Sequence, residues 1–364
     1  MLTLIFIIIA VGVLILAHEW GHFFVSRKLG VGVEEFGFGF PPRLISRVKN
    51  GVRYSINLLP FGGFVKIFGE HGEGEQDHRS FASRPAWQRV AILGAGVGMN
   101  LVLAWAVFSM GAALGVPQAI DPDVAVGAGA TTEEQIPVSI IAVMPNSPAE
   151  QAGLKMGDQI HEIRTPELSL RIESEDDVRN FVDAYRGEEI TLVIQRGSKI
   201  QEVNTMPRKD APEGEGPLGI ALARLKIVAS PWYLAPIDGF IVLTRSITAI
   251  VGGFTFIVKE LILGHAQSVP VSGPVGIYRY ASETQQFGFA YFLQFVGILS
   301  VNLAILNVLP VPALDGGRIL FVVLEKIKRK RVDPNLENKI HTVGFVVLVL
   351  LMVIVTYRDI AHIW

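Results

Sequence analysis

The sequence predicts a multi-span α-helical membrane protein of about four transmembrane helices, with one small α+β domain inserted between the second and the third. Three observations predict this fold class. Half of the 364 residues are hydrophobic and only 18% are charged, whereas soluble domains usually carry about a quarter charged residues. Several apolar stretches are long enough to cross a bilayer. One long polar stretch among them has the alternating pattern of an ordinary folded domain.

Four apolar stretches are expected to span the membrane. They are approximately Leu4–Val25, Val90–Val116, Phe287–Leu309 and His341–Tyr357. No basic residue precedes the first stretch, and no small-residue cleavage site interrupts it. We therefore expect a retained helix there and not a secretory signal peptide.

Lysine and arginine residues set the expected orientation. They concentrate in the loop between the first two spans and in the loop between the last two. The positive-inside rule places both loops in the cytoplasm, and hence the two termini and the long middle segment outside. If these charges were only a solvated face, nothing would restrict them to alternate loops.

The middle segment, residues 136–208, is predicted to be a small α+β domain. Pro137–Val143 alternates as a strand does, and Ser174–Arg186 is a helix for which Ser174 is the expected N-cap. Glu189–Gln195 and Lys199–Thr205 are expected to pair as a hairpin.

The first cytoplasmic loop contains two further strand patterns. Gly51–Leu59 and Phe64–Phe68 are too apolar for a solvated loop, and we expect them to form a hairpin around Pro60–Gly63. An exposed strand edge can hold a bound chain in an extended form. The alternative is a surface hairpin without a binding use.

The segment from Pro236 to Gly264 is ambiguous. It is apolar, but four charged residues interrupt it: Asp238, Arg245, Lys259 and Glu260. A fifth span would reverse the side of everything that follows. We therefore expect residues 230–264 to contain an amphipathic helix that lies on or dips into the outer interface.

Two histidines and a glutamate lie inside the first apolar stretch. His18, Glu19 and His22 form an HExxH pattern. This spacing puts both imidazoles on one helix face, where they can hold a zinc ion, and it puts Glu19 beside them as a base. Because the chain has no cysteine, histidine and carboxylate must hold any such metal. The alternative is a polar cluster that joins helices, but such groups are costly in a membrane and usually serve a function.

A catalytic zinc ion needs a third protein ligand and an open position. Asp315 fits, because it follows the third span after two prolines that unwind the helix, and precedes two glycines that allow a close approach. The alternative is that Asp315 only caps the helix beginning at Gly316. If residues 236–264 do not cross, Asp315 lies at the depth of the histidines, near the cytoplasmic side.

Two resemblances to known families rest on these residues. Val143–Ala149 and Ala152–Ile160 resemble a PDZ domain of the bacterial, circularly permuted kind, which binds an extended chain along a sheet edge; a non-binding relic is the alternative. Together with the HExxH pattern and the motif Leu309–Arg318 (LPVPALDGGR), they resemble the site-2 protease family of intramembrane metalloproteases, in its branch of bacterial regulators of sigma-E.

The resemblance implies roles for particular residues. It implies zinc on His18, His22 and Asp315. It implies that Glu19 is the general base. It also implies that Asn302 and Asn307 hold the substrate backbone or the oxyanion, and that the hairpin of the first loop re-enters the membrane.

A third asparagine carries a departure from the family. The family often has Gly-Pro-x-x-Asn in the second span, and Gly96–Asn100 keeps the glycine and the asparagine without the proline. Asn100 is therefore expected to be a further substrate-binding residue, in a helix whose local geometry differs from the family pattern.

The family cleaves transmembrane segments of anti-sigma factors and remnant signal peptides. We therefore expect an intramembrane zinc metalloendopeptidase in the bacterial inner (cytoplasmic) membrane, with the bilayer and transmembrane protein substrates as its partners. The PDZ-like domain is expected to be periplasmic and the active site to lie near the cytoplasmic side. The expected organisation is 1–116 (first two spans and hairpin), 136–208 (PDZ-like), 230–264 (interfacial helix) and 272–364 (last two spans).

Other functional classes remain as alternatives. A net charge of −2 argues against a nucleic-acid-binding protein. A non-catalytic scaffold would need a fourth protein ligand that closes the metal site, and a metal transporter would need further intramembrane carboxylates or histidines. The remaining histidines receive no role: His71, His78, His161, His265, His341 and His362.

Overall fold

The computed structural model describes residues 2–70, 72–119, 137–197, 199–212, 215–264, 273–286 and 289–361. Of the histidines without an assigned role, His71, His265 and His362 lie outside these residues, as do the outer ends of two expected segments, Phe287 and Ile136. The chain forms two compact units. The helical unit consists of Met1–Ala113, Pro231–Gln285 and Phe289–Trp364, and the α+β unit consists of Leu114–Ser230 and Gln286–Gly288.

The elements follow in this order along the chain: α1 (Leu2–Lys28), β1 (Val33–Lys49), β2 (Val52–Ile67), α2 (Ala86–Leu114), β3 (Val116–Ala119), β4 (Val138–Val143), α3 (Pro148–Gln151), β5 (Gln159–Arg164), β6 (Ser169–Arg171), α4 (Glu175–Ala184), β7 (Ile190–Arg196), β8 (Lys199–Thr205), β9 (Ile220–Val228), α5 (Ala235–Ile262), α6 (Pro274–Gln286), α7 (Phe289–Val308), α8 (Asp315–Lys328) and α9 (Pro334–Ala361).

Five of the described helices are long and apolar enough to cross a membrane: α1, α2, α5, α7 and α9. Four of them cover the expected spans. The fifth, α5, lies where the sequence predicts an interfacial helix, and it is one continuous helix of 28 residues, or about 42 Å at 1.5 Å per residue. Three of its four charged residues lie in its first and last turns, so that they do not break its apolar middle.

Helices α1 and α7 run in the same direction. Phe6 in the first part of α1 contacts Phe292 in the first part of α7, with ring centroids 5.9 Å apart. Ala10 and Leu14 belong to the same apolar cluster as Val296 of α7. The C-terminal ends of the two helices therefore lie at the same end of the bundle, which is the relation that the sequence argument requires between the HExxH pattern and Asp315.

The hairpin of the first loop is larger than predicted, because residues 35–38 of β1 lie between the two predicted strands. Residues 53–56 and 63–66 of β2 flank this segment in opposite directions, so the chain reverses between them, around Pro60–Gly63. A further turn at Asn50–Gly51 joins β1 to β2. Asn50 and Gly51 both have positive φ, 50° and 78°, as a tight hairpin turn of the Asn-Gly kind requires.

The two strands of this hairpin also fold back on one another. Residues 35–38 of β1 lie opposite residues 53–56 of β2 on one side and residues 63–66 on the other, while residues 43–49 pair with residues 52–57. Large apolar side chains of this sheet are about half exposed or more, Phe40, Leu44 and Ile45 among them. Such a surface suits lipid better than water.

The α+β unit contains a seven-stranded sheet with the order β3-β9-β4-β5-β7-β8, in which β6 pairs with β5. The predicted strand at residues 137–143, the capped helix and the β7–β8 hairpin are all present. The predicted boundary at residue 208 is wrong, because β9 (Ile220–Val228) pairs with β4 and completes the sheet. The core is aliphatic and includes the fully buried Ile140, Ile163, Leu192 and Ile194.

Candidate metal centre

His18, His22 and Asp315 lie together in the helical unit. The histidines occupy adjacent turns on one face of α1, and Asp315 is the first residue of α8. The Nε2 atoms of the two histidines are 3.1 Å apart. The Oδ2 atom of Asp315 lies 3.1 Å from the Nε2 of His18 and 3.3 Å from that of His22. Three candidate ligand atoms thus face a common point.

This arrangement fits a tetrahedral zinc ion. With bonds of about 2.0–2.2 Å, two ligand atoms on one tetrahedral zinc ion lie roughly 3.3–3.5 Å apart, close to the separations of these donors. The Oδ2 atom of Asp315 is buried and accepts no hydrogen bond of regular geometry, so that a cation would satisfy it. In the part of the chain that the structure describes, no fourth histidine or carboxylate joins the group. Three ligands with an open position are typical of catalytic zinc sites.

Helix α2 forms the wall behind the two imidazoles. The Nδ1 of His22 lies 2.8 Å from the carbonyl oxygen of Ile92, and the Nδ1 of His18 lies 3.4 Å from the side-chain amide of Asn100. Gly96 lies between these two contacts, and a Cβ atom there would overlap both imidazole rings. The glycine and the asparagine of the Gly96–Asn100 pattern thus surround the candidate ligands.

Asn100 is fully buried. Its backbone carbonyl accepts a hydrogen bond of 2.8 Å from the hydroxyl of Ser300 on α7, and its side-chain oxygen has no hydrogen-bond partner. Because the two ends of an amide are nearly equivalent in shape, a rotated amide places this oxygen against His18. An Nδ1–H of His18 then donates to it, as metal-bound histidines usually donate from their second nitrogen.

The turn between α7 and α8 presents Asp315. Leu314 is the N-cap residue of α8, and no side chain caps this helix, so the structure gives Asp315 no capping role. Gly316 and Gly317 press against backbone carbonyls of residues 308–311, where a Cβ atom would overlap. The two glycines therefore let α8 begin directly against the end of α7.

Glu19 lies beside the triad and faces the hairpin of the first loop. Its carboxylate is within hydrogen-bonding reach of the backbone N–H of Val65. A Cβ atom on Gly63 would lie 3.6 Å from the Cγ of Glu19. The segment of β2 from residue 63 to residue 66 therefore passes next to Glu19, and in the described residues no strand pairs with its outer edge.

The two asparagines of α7 are not part of the triad. The side-chain amide of Asn302 donates to the carbonyl of Ile298 one turn earlier, at 3.1 Å. Asn307 is half-buried in the last turn of α7. The structure therefore brings together His18, His22 and Asp315.

Two ion pairs attach the loop between α1 and α2 to α8. Arg89 at the start of α2 pairs with Glu325 at 2.6 Å, and both side chains are nearly buried. Arg318, one turn after Asp315, pairs with Glu70. These contacts fix the helix that begins with Asp315 against the loop that carries the hairpin.

The sequence analysis assigned no role to His341, which contacts the turn before Asp315. The backbone N–H of Ala313 donates to the Nδ1 of His341 at 2.8 Å. A sequence signal was present, since a histidine near the start of an apolar span is costly unless it has a partner.

Comparison with known proteins gives matches over nearly the whole chain. The profile of peptidase family M50 matches residues 6–351. A Clostridium perfringens protein, which its name assigns provisionally to the zinc metalloproteases, is 34% identical over 359 residues, 98% of each chain. Zinc metalloprotease RasP of Oceanobacillus iheyensis is 29% identical over 447 aligned positions that cover all of both chains.

One solved structure matches a smaller part of the chain. It is the PDZ domain of the SdrC-like protein of Listeria monocytogenes, which is 19% identical and gives a TM-score of 0.22. The match covers 25% of this chain and 93% of that domain.

Proposed function

The chain belongs to peptidase family M50, the site-2 protease family of zinc metalloproteases, and on that premise we propose that it is an endopeptidase that cleaves transmembrane segments of other membrane proteins within the bilayer. One observation carries this proposal: His18 and His22 lie in a helix apolar enough to cross a membrane, and Asp315 follows another such helix at the same end of the bundle. The substrates we propose are the membrane stubs of anti-sigma-like factors and remnant signal peptides.

The proposed roles follow from the geometry. His18, His22 and Asp315 hold the zinc ion, which supplies a Lewis acid for peptide hydrolysis. Glu19 accepts a proton from the attacking water and later passes it to the leaving nitrogen. Asn100 holds the ring of His18 from behind, which makes it a positioning residue, because a fully buried side chain cannot reach a substrate.

A cleavage assay tests the proposal. Purified protein in detergent should cut a model transmembrane peptide, and a zinc chelator should stop the reaction. Glu19→Gln should keep its zinc content and lose about 10²–10⁴ in rate, the usual contribution of a general base. Cleavage by Glu19→Gln at the wild-type rate, or cleavage that a chelator does not affect, would contradict the proposed mechanism.

The outer edge of residues 63–66 of β2 is the proposed binding site for the extended substrate. It passes next to Glu19, and the backbone groups of an unpaired strand edge can pair with an added strand. A helical transmembrane segment must be unwound before its carbonyl groups are accessible, and pairing with this edge would stabilise the unwound form.

Because the chain lacks cysteine, disulfide cross-linking can test this edge without background. Lys66→Cys should cross-link to cysteines moved one residue at a time along a substrate, with a yield that alternates with the period of two of a β-strand. Val48→Cys, on the opposite edge of the same sheet, is the matched control. Equal yields from the two positions would contradict strand addition at residues 63–66.

We place the protein in the inner membrane of a bacterium, with the α+β unit outside. The support is the distribution of lysine and arginine between the loops. On intact cells, a membrane-impermeant maleimide should label Glu188→Cys in the α+β unit but not Gln76→Cys in the first loop. The reverse labelling pattern would invert the topology.

The α+β unit, on this topology, screens substrates by size and takes no part in the chemistry. Replacing residues 115–230, which include the completing strand β9, by a short linker should preserve cleavage of short membrane stubs. The same deletion should permit cleavage of substrates with bulky external domains. If the deletion stops cleavage of short stubs in a folded, zinc-loaded protein, the unit is a required docking site and not a gate.

A further inference from the structure

The turn that precedes Asp315 has a strained residue at its centre. Ala313 has a φ of 78°, in the left-handed region that residues with a β-carbon rarely adopt. Such a conformation is unfavourable and persists only where surrounding contacts impose it. Ala313 lies two residues before Asp315, so any change in this turn moves the carboxylate that faces His18 and His22.

Helix α9 supplies the contacts that impose this conformation. The backbone N–H of Ala313 donates to the Nδ1 of His341 at 2.8 Å, and the ring of His341 also lies 5.6 Å from that of Phe321 on α8. Gly344, one turn further along α9, lies against Pro312 so closely that a Cβ atom would overlap it. The turn is thus held from the side of α9 by one hydrogen bond and one close backbone contact.

The described side chains of α9 are exposed or half-buried, and none is buried. At its far end, Asp359 accepts hydrogen bonds of 2.9 Å from the backbone N–H groups of Gly273 and Gly276. The two ends of α9 therefore have separable roles: His341 contacts the turn before Asp315, and Asp359 holds the start of α6.

We propose that His341 is a positioning residue for the metal centre, which holds the Ala313 turn so that Asp315 meets His18 and His22. The inference rests on the proposed function, because it takes Asp315 as a zinc ligand. It also implies that zinc affinity depends on the docking of α9, a helix that contributes no ligand.

Substitutions at position 341 can either remove or keep the hydrogen-bond acceptor that faces the Ala313 N–H. His341→Leu fills similar space without an acceptor, whereas His341→Gln offers a carbonyl oxygen to the Ala313 N–H. Zinc affinity of the purified full-length proteins is measured by competition with a chelator. The absorption spectrum of the Co²⁺-loaded proteins reports the geometry of the site.

The leucine variant should bind zinc about 10–100-fold more weakly, the usual effect of losing a residue that orients a ligand, and its cobalt spectrum should change. The glutamine variant should retain most of the wild-type zinc affinity and a cobalt spectrum close to that of the wild type. Gly344→Ala, which displaces α9 from Pro312, should weaken zinc binding in the same direction and serves as an independent test if His341→Leu does not fold.

Asp359→Ala is the matched control at the other end of the same helix. It should lower the thermal stability of the protein without changing zinc affinity or the cobalt spectrum. Wild-type affinity and spectrum in both His341→Leu and Gly344→Ala would overturn the proposal, and so would equal weakening by Asp359→Ala. A wild-type protein that binds no zinc would instead refute the proposed function.

Discussion

The two units use their buried positions differently. The core of the α+β unit is apolar, with Ile140, Leu192 and Phe181 packed between its sheet and its helix. The helical unit also has apolar clusters, but around the triad it buries polar residues and glycine as well, among them Asn100, Ser300 and Gly96. In water, burial of apolar surface is the main driving force for folding. Between helices in lipid this driving force is absent, so buried positions there can be occupied by polar residues with a catalytic or metal-binding role.

Glycine residues show the same contrast. In the helical unit, Gly21 and Gly96 allow α1 and α2 to approach so closely that a Cβ atom at either position would overlap the other helix. In the α+β unit, Gly153 and Gly187 have positive φ and end short helices. Substitutions at such positions should therefore have different effects: in the helical unit they should lower metal binding, and in the α+β unit they should lower stability.

The largest expected effect is that of Gly96→Ala. The added methyl group would overlap the Nε2 of His22, a proposed zinc ligand atom, and the ring of His18. We expect this variant to lose its zinc and its activity while its helices still form. Gly98→Ala is the matched control, because a Cβ atom there meets no other atom within 4 Å. Elemental analysis of both proteins checks the prediction, and full zinc content in Gly96→Ala would contradict it.

Leu192→Ala should lower the stability of the α+β unit and leave the zinc content unchanged. Leu192 is fully buried in the core of the α+β unit, and truncation of a buried leucine costs about 2–5 kcal/mol. We expect much faster hydrogen exchange in β5 and β7, with zinc content at the wild-type level. Loss of zinc in this variant would show that the two units do not fail separately.

Asn100→Ala should weaken zinc binding without abolishing it. Residues that orient a metal-bound histidine typically contribute 10- to about 100-fold in metal affinity, and Asn100 is placed to do so for His18. Asn302→Ala is the matched control, because that amide bonds to its own helix. It should leave zinc affinity unchanged, and it should raise the KM if Asn302 holds substrate. Equal zinc affinity in Asn100→Ala and the wild type would show that Asn100 does not orient His18 for the metal.

The sequence could predict the parts of the site that depend on local spacing. His18 and His22 are one turn apart in a helix, and Asp315 stands between prolines and glycines that show an irregular turn. The contacts of Asn100 with His18 and of His341 with Ala313 join residues 82 and 28 positions apart, and no local pattern indicates them.

Strand pairings between distant segments are likewise not indicated by a local pattern. The pairing of β4 with β9 joins segments about 80 residues apart, so the local sequence of β9 gave no sign of its partner. The turn at Asn50–Gly51 is different, because an Asn-Gly pair between alternating residues is a strong local hairpin signal. The sequence analysis predicted the reversal near Pro60 and did not use this second signal.

The smallest expected effect is that of a substitution at the start of α4. It tests whether a small loss of stability in the α+β unit leaves the metal centre unaffected. The hydroxyl of Ser174 accepts a hydrogen bond of 3.2 Å from the backbone N–H of Asp177, whose carboxylate in turn accepts from the N–H groups of Ser174 and Glu173 at 2.9 and 3.0 Å. Ser174→Ala should cost about 1 kcal/mol, so α4 amides should exchange about five times faster, with zinc content unchanged. The exposed pair of Arg179 with Asp176 provides the control, because Arg179→Ala removes a surface ion pair of little value.

Hydrogen bonds from Glu173 and Ser174 also hold the pKa of Asp177 below its usual value. The carboxylate's contribution is therefore present above that usual value, and it is lost as the pH falls through the lower pKa of the folded state. Exchange in α4 that does not differ between Ser174→Ala and Arg179→Ala would mean that packing against β9, and not the cap, determines the stability of this helix.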